Sequence, residues 1–176
     1  MTQPMTQPKA PLPAEPDASA RAEGFQRVAG ALQRLGHDQA PRWLEVAART
    51  SQEAADALGV ALGQIAKSVV FRRREDDRAV LVIASGDRRV DERRLATLVG
   101  PVGRADAQFV KSRCGFAIGG VSPLALSGEP MLLLDRELQR FAEIWAAAGH
   151  PNGVFRLTPQ DLQRLTGAPW ADVVSP

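Results

Sequence analysis

The chain has 176 residues, 44% of them hydrophobic and 24% charged, with a formal net charge of +2. That is the length of one domain, and such a chain can bury roughly 70% of its unfolded surface, so folding requires neither disulfides nor a structural metal. A single cysteine, Cys114, excludes an intramolecular disulfide framework, and with only His37 and His150 beside it no zinc-ligand spacing exists.

Residues 1–16 hold five prolines and a repeated Met-Thr-Gln-Pro. This is the composition of a disordered tail, so 1–17 is expected to be a Pro-rich tail and 18–176 the folded domain. Within 19–35, Phe25, Val28, Ala29, Leu32 and Leu35 recur at helical spacing and Gly36 stops the run. Residues 42–46 read as a short strand. Thr50-Ser51-Gln52-Glu53 is a capping box for a helix that ends at Gly59. Two strands follow, 65–73 and 79–84, and their short polar connection predicts an antiparallel hairpin. Asp91 caps a helix through Leu98, closed by Gly100-Pro101. A short strand lies around 102–105, and Asp106 caps a brief helix to Arg113 with Gly115 as its stop. Residues 116–118 are strand-like and run into Gly119-Gly120-Val121-Ser122-Pro123. Residues 131–134 form a buried strand, after which Asp135 caps a helix with Leu138, Phe141, Ile144, Trp145 and Ala148 on one face. Residues 154–157 are the last strand, and Thr158-Pro159-Gln160-Asp161 opens the last helix with Pro at its first position. Helices and strands alternate, but one pair is a hairpin, which excludes a purely parallel doubly wound sheet. The expected fold is α+β: a curved, partly closed mixed sheet flanked by helices.

Charge is unevenly spread. Residues 67–113 carry twelve basic and seven acidic side chains. Such a basic middle can attract phosphates, with Arg72, Arg73, Arg74 and Arg78 as candidate contacts. The competing reading is a solvated face with scattered ion pairs. No apolar run approaches the ~20 residues of a membrane span, and the N-terminus lacks a signal-peptide layout, so the chain reads as soluble and cytoplasmic.

The usual enzyme signatures are absent: no GxSxG elbow, no P-loop, no GxGxxG after a strand. Cys114 beside Gly115 reads as a small buried hydrophobe rather than a nucleophile. Two features remain. In Ile65-Ala66-Lys67-Ser68-Val69-Val70-Phe71, Lys67 shares a strand face with Ile65, Val69 and Phe71. A lysine there must reach water, find an anion or lose its proton. The bland alternative is a lysine snorkelling at a strand end. The second feature is the turn from Gly115 to Pro123. Adjacent glycines let backbone groups approach a ligand closely, and Ser122-Pro123 stiffens the exit. Such a loop can serve as a binding cradle or an oxyanion hole, or simply join two elements.

Taken together, these segments resemble the YbaK/EbsC family, aminoacyl-tRNA deacylase domains related to the editing domain of bacterial prolyl-tRNA synthetases. The resemblance spans most of 23–173. It rests on Ala54-Ala55-Asp56-Ala57-Leu58-Gly59, Gly63-Gln64-Ile65-Ala66-Lys67-Ser68-Val69-Val70-Phe71, residues 80–91, Gly119-x-x-x-Pro123, and Leu133-Leu134-Asp135. It implies hydrolysis of the ester joining a wrong amino acid to the terminal adenosine of a tRNA, often tRNA-Pro. It implies catalytic roles for Lys67, Gly119 and Gly120, and substrate contacts from Ser68, Val121, Ser122, Pro123 and Asp135, with no metal and no cofactor. The implied partners are a mischarged tRNA, met on prolyl-tRNA synthetase or an elongation factor, and neither DNA nor a membrane. One departure stands out: many relatives have glycine two residues after the loop proline, where this chain has Ala125. A non-catalytic RNA-binding module of the same fold, or an esterase for another small aminoacyl compound, are the competing functions.

Overall fold

The structure, a computed structural model, describes residues 22–176, so the expected 1–17 tail lies outside the described residues. In chain order the elements are α1 (Glu23–Arg34), β1 (Arg42–Trp43), α2 (Ser51–Leu58), a 3-10 turn (Leu62–Gln64), β2 (Ile65–Arg73), β3 (Ala79–Ser85), α3 (Glu92–Val99), β4 (Val102–Arg104), α4 (Ala107–Cys114), β5 (Met131–Asp135), a 3-10 helix (Arg136–Arg140), β6 (Ile144–Ala147), β7 (Gly153–Leu157), α5 (Pro159–Thr166) and β8 (Trp170–Ala171).

The caps lie where the sequence places them. Thr50 Oγ1 accepts from the Glu53 amide, Asp91 from Arg93 and Arg94, Asp106 from Phe109, and Thr158 from Asp161. Each satisfies a donor that the helix start would otherwise leave unpaired. The box at Thr50 is modified, because the Glu53 carboxylate reaches the Arg49 amide instead of the Thr50 amide.

One eight-stranded mixed sheet runs β1-β7-β6-β2-β3-β5-β8, with β4 paired to β2. The β2–β3 hairpin is antiparallel as expected, with Lys67 opposite Ala84. Parallel pairs join β2 to β6, β3 to β5 and β5 to β8. All seven residues of β3 are buried because helices cover both of its faces. Leu81 and Ile83 pack into the core built with α1, α4 and α5, while Val80, Val82 and Ala84 pack with Leu95 and Val99 of α3.

Four expectations need correction. The helix expected after Asp135 does not form. A 3-10 helix ends at Arg140 and Ile144–Ala147 is a strand. The apolar spacing there fits a helix, but β6 fills the slot between β2 and β7, gaining a ladder on each side and burial of Ile144, Trp145 and Ala146. That tertiary gain outweighs local periodicity. Residues 116–118 are no strand. Phe116 is buried in the main core and the chain turns at once. The strand expected at 42–46 is reduced to two residues, and 154–157 is not the last strand, because Trp170–Ala171 adds β8 alongside β5.

Candidate active site

β2 creates the site by being incompletely paired. On the side away from β3 it meets β6 at Ile65 and Ala66 and β4 at 71–73, so the outer edge of 67–70 has no strand beside it. A cavity of about 340 Å³ opens there. Its walls are β2 at 65–68, β6 at 145–147, the segment entering α2, and the glycine loop at Ile118, Gly119 and Val121. Small side chains (Ala54, Ala66, Ala146, Ala147) leave the space, Trp145 forms one wall, and Ile118 stands exposed at the rim.

Four of the eight residues singled out by sequence meet in this cavity: Lys67, Ser68, Gly119 and Val121. Lys67 is half-buried, and its ammonium donates to the Arg88 carbonyl at 2.5 Å. Burial pulls its pKa below the ordinary lysine value of 10.5, with Asp87 and Asp135 partly offsetting the shift. Ser68 Oγ is buried and has no hydrogen-bond partner among the described residues. An orphaned hydroxyl on a cavity wall is unusual, because buried polar groups are nearly always paired. Gly119 has φ of 90°, in the left-handed region. Among the described residues, nothing accepts from the amides of Gly119 or Val121. The lining of the cavity thus includes a lysine, a serine whose hydroxyl has no partner among the described residues, and two residues whose amides are unpaired among them.

Gly120, Ser122, Pro123 and Asp135 do not line it. The Gly120 amide is committed to the Ala117 carbonyl at 3.0 Å, and its Cα lies against the His150 backbone. Ser122 is fully buried and its Oγ accepts from the Leu124 amide at 3.2 Å, while Pro123 is buried behind the loop. Asp135 is fully buried and accepts from the amides of Ser85 and Glu137, each at 2.9 Å. Burial raises its pKa despite those bonds. These four residues shape the site from behind. Cys114 is also buried and its thiol is pushed up by burial, which disfavours the thiolate.

Two supports were not legible in the sequence. The turn that carries the Arg88 carbonyl is fixed by Asp87, which accepts from Arg140 at 2.7 Å and from Ser85 Oγ at 3.0 Å. The Arg140 guanidinium holds the Asp87 carboxyl below its usual range. Arg27 of α1 ties the glycine loop at both ends, donating to Gly115 O at 3.0 Å and Ala125 O at 2.5 Å, with its guanidinium over the Phe116 ring. The arginines of the β2–β3 hairpin are occupied. Arg72 pairs with Asp77 and Arg73 with Asp76, while Arg74 and Arg78 donate to the carbonyls of Val102 and Glu129. A phosphate there would have to displace these partners.

Ala125 has φ of 57°, a left-handed conformation that costs an L-residue roughly 1–2 kcal/mol. Ala125→Gly removes that strain but adds unfolded-chain entropy of roughly 0.5–1 kcal/mol. The expected net gain is about 0.5 kcal/mol, read as a melting temperature raised by about 1–2 °C with activity retained.

Among the described residues, no three His, Cys, Asp or Glu side chains are gathered so as to hold a metal ion, and no helix is long and apolar enough to cross a membrane.

Comparison with known proteins adds an independent line. Residues 45–165 match the family described as aminoacyl-tRNA editing domain. The chain is 35% identical over 131 residues to an uncharacterized Bacillus subtilis protein, YwhH, covering 73% of this chain and 83% of that one. A solved structure described as a proposed trans-editing enzyme for prolyl tRNA synthetase superposes with a TM-score of 0.81 at 39% identity, covering 88% of this chain and 98% of the other. A proline–tRNA ligase from Thermoanaerobacter sp. (strain X514) is 29% identical over 94 residues, which is 51% of this chain but only 16% of the ligase.

Proposed function

The chain belongs to the aminoacyl-tRNA editing domain family, and from that premise we propose that it is a deacylase acting in trans on a mischarged tRNA, with tRNA-Pro carrying a small wrong amino acid as its substrate. The observation that carries this reading is the convergence of Lys67, Ser68, Gly119 and Val121 on one cavity at the unpaired edge of β2.

An aminoacyl ester is an activated acyl group, so its hydrolysis needs a placed water and a stabilised oxyanion more than a strong nucleophile. Water adds to the carbonyl carbon, the carbonyl oxygen takes the negative charge, and the C–O bond to the terminal ribose then breaks. The amides of Gly119 and Val121 are free to receive that oxygen, and one such donor is worth roughly 3–4 kcal/mol. The Ser68 hydroxyl can hold the water or the substrate's amino group. Lys67 is a fixed cation that orients the ribose or the ester, which supplies part of the advantage of a bound over a free reaction. It does not act as the base. A ribose hydroxyl of the tRNA, or the substrate's own side chain, assists by relaying a proton from the attacking water to the departing ribose oxygen, giving up its own proton as it accepts one. A cavity of about 340 Å³ suits an aminoacyl group with part of its ribose, which favours small acyl groups by exclusion of larger ones.

The charge on Lys67 sets a pH limit. Its pKa is lowered by burial, so the cation is lost as pH rises through a value below 10.5. Deacylation, corrected for spontaneous ester hydrolysis, is expected to fall on that alkaline limb; a profile flat to pH 10.5 would deny the ammonium a role.

The experiment that tests the function is a deacylation panel of alanyl-, seryl-, cysteinyl-, threonyl- and prolyl-tRNA with the purified chain. Hydrolysis of one or more of the small esters, with prolyl-tRNA spared, is expected. Hydrolysis of none above the spontaneous rate would reduce the chain to a non-catalytic module, and equal hydrolysis of all would remove the editing role.

A further inference from the structure

Lys67 borders two depressions. One is the cavity above. The other is an open groove of about 640 Å³ on the same strand, lined by Lys67, Val69 and Phe71 of β2, by Arg89 just before α3 and by Arg93 in its first turn. The charges along it are differently committed from those of the hairpin. Arg89 and Arg93 are both exposed, and neither guanidinium pairs with a described residue. Of the two acids on the rim, Asp91 is engaged by the α3 amides it caps, at 3.0 and 3.3 Å, while Glu92 is exposed. The half-buried Val69 gives the floor an apolar patch. The Lys67 ammonium is held at the junction by the Arg88 carbonyl. The groove therefore offers two uncommitted guanidinium groups beside an apolar floor, one residue along β2 from the candidate ester site.

We propose that this groove holds the sugar-phosphate backbone of the nucleotide that precedes the terminal adenosine, with Arg89 and Arg93 on its phosphodiester. The proposal rests on the deacylase reading, because an aminoacyl ester in the first cavity is followed along its chain by that phosphodiester. Guanidinium groups suit it, since their planar forks match phosphate oxygens. Other esters without a phosphodiester have no use for the groove, so it separates a tRNA substrate from a small aminoacyl compound.

The test compares Arg89→Ala/Arg93→Ala with the unaltered chain on two substrates, a mischarged tRNA and an aminoacyl-adenosine ester that has no phosphodiester. With the tRNA, KM is expected to rise about tenfold with kcat nearly unchanged, and the slope of log kcat/KM against log salt to flatten by about one. Cleavage of the minimal ester is expected to be unaffected. A variant with unaltered KM and salt slope on tRNA, while both chains still cleave the minimal ester, overturns the groove and leaves the deacylase reading standing. Arg49→Ala probes the opposite rim of the cavity: if that change alone raises KM for tRNA, the strand leaves by the other side and the groove is again overturned. Failure of the unaltered chain on both substrates overturns the deacylase reading itself, and the groove with it.

Discussion

Lys67→Ala is expected to lose at least about 100-fold in kcat/KM for deacylation while melting within a few degrees of the unaltered chain. The two effects separate because of where the side chain sits. Its ammonium is half-buried and gives one hydrogen bond to the Arg88 carbonyl. Burial already disfavours its charge, so removal relieves a desolvation cost while losing that bond. The carbonyl left behind is one residue before Arg89, which lines the open groove that Lys67 also lines, so water from that groove can replace the ammonium. The turn keeps its shape because Asp87, Ser85 and Arg140 hold it without Lys67. Lys67→Arg is expected to rescue poorly, since a planar guanidinium cannot occupy the place of a compact ammonium. A folded Lys67→Ala protein with a normal rate would remove the residue from the mechanism.

Gly120→Ala acts through shape. A Cβ there would stand 2.8 Å from His150 Cα, 2.9 Å from its nitrogen and 3.0 Å from its carbonyl carbon. All three are backbone atoms, so no flexible side chain can swing aside. The His150 turn cannot yield freely either, since its ring stacks on Trp43 with centroids 4.7 Å apart and its Nδ1 accepts from the Asn152 amide at 3.0 Å. The expected cost is about 2–3 kcal/mol, or a melting temperature lower by about 5–10 °C. Activity is expected to fall further than stability implies, because Gly119 and Val121 flank the displaced residue and a shift of about 1 Å in positioned groups can cost ~100-fold. Thermal melts with single-turnover rates at a temperature where the variant is folded check both parts. Unchanged melting would contradict the packing, and unchanged rates would release the loop from the site. Gly119→Ala makes a useful contrast: its Cβ would meet nothing nearer than Pro151 Cγ at 3.7 Å, so only the left-handed φ opposes it.

The parts of this molecule that sequence reveals are those governed by neighbours in the chain. The caps at Asp91, Asp106 and Thr158 and the β2–β3 hairpin are short-range physics and read directly. Lys67 and the glycine loop were legible as local oddities, and the resemblance to a family joined them. The β6 strand was not legible, because Leu138, Phe141, Ile144 and Trp145 satisfy helical spacing, and only the slot between β2 and β7 decides otherwise. Trp145 was accordingly missed as a wall of the cavity. The supports of the site were hidden for the same reason. Arg140 reaches Asp87 across 53 positions, and Arg27 reaches Gly115 and Ala125 across 88 and 98. No local pattern marks either arginine. Conversely, Gly120, Ser122, Pro123 and Asp135 were grouped with the pocket by their place in a motif. The hydrogen bonds of Gly120, Ser122 and Asp135 and the burial of Pro123 put them behind its wall, where they hold the loop and the end of β3.

The most direct measurement is a crystal structure with a non-hydrolysable analogue, an adenosine carrying alanine through an amide in place of the 3′ ester oxygen. The expected result is the alanyl group inside the cavity, its carbonyl oxygen within hydrogen-bond reach of the Gly119 or Val121 amide, Ser68 Oγ now partnered, and the ribose beside Lys67. An analogue seated elsewhere, with 67–68 and 118–121 untouched and Ser68 still unpartnered, would contradict the assignment of this cavity as the place where the ester is held and cleaved.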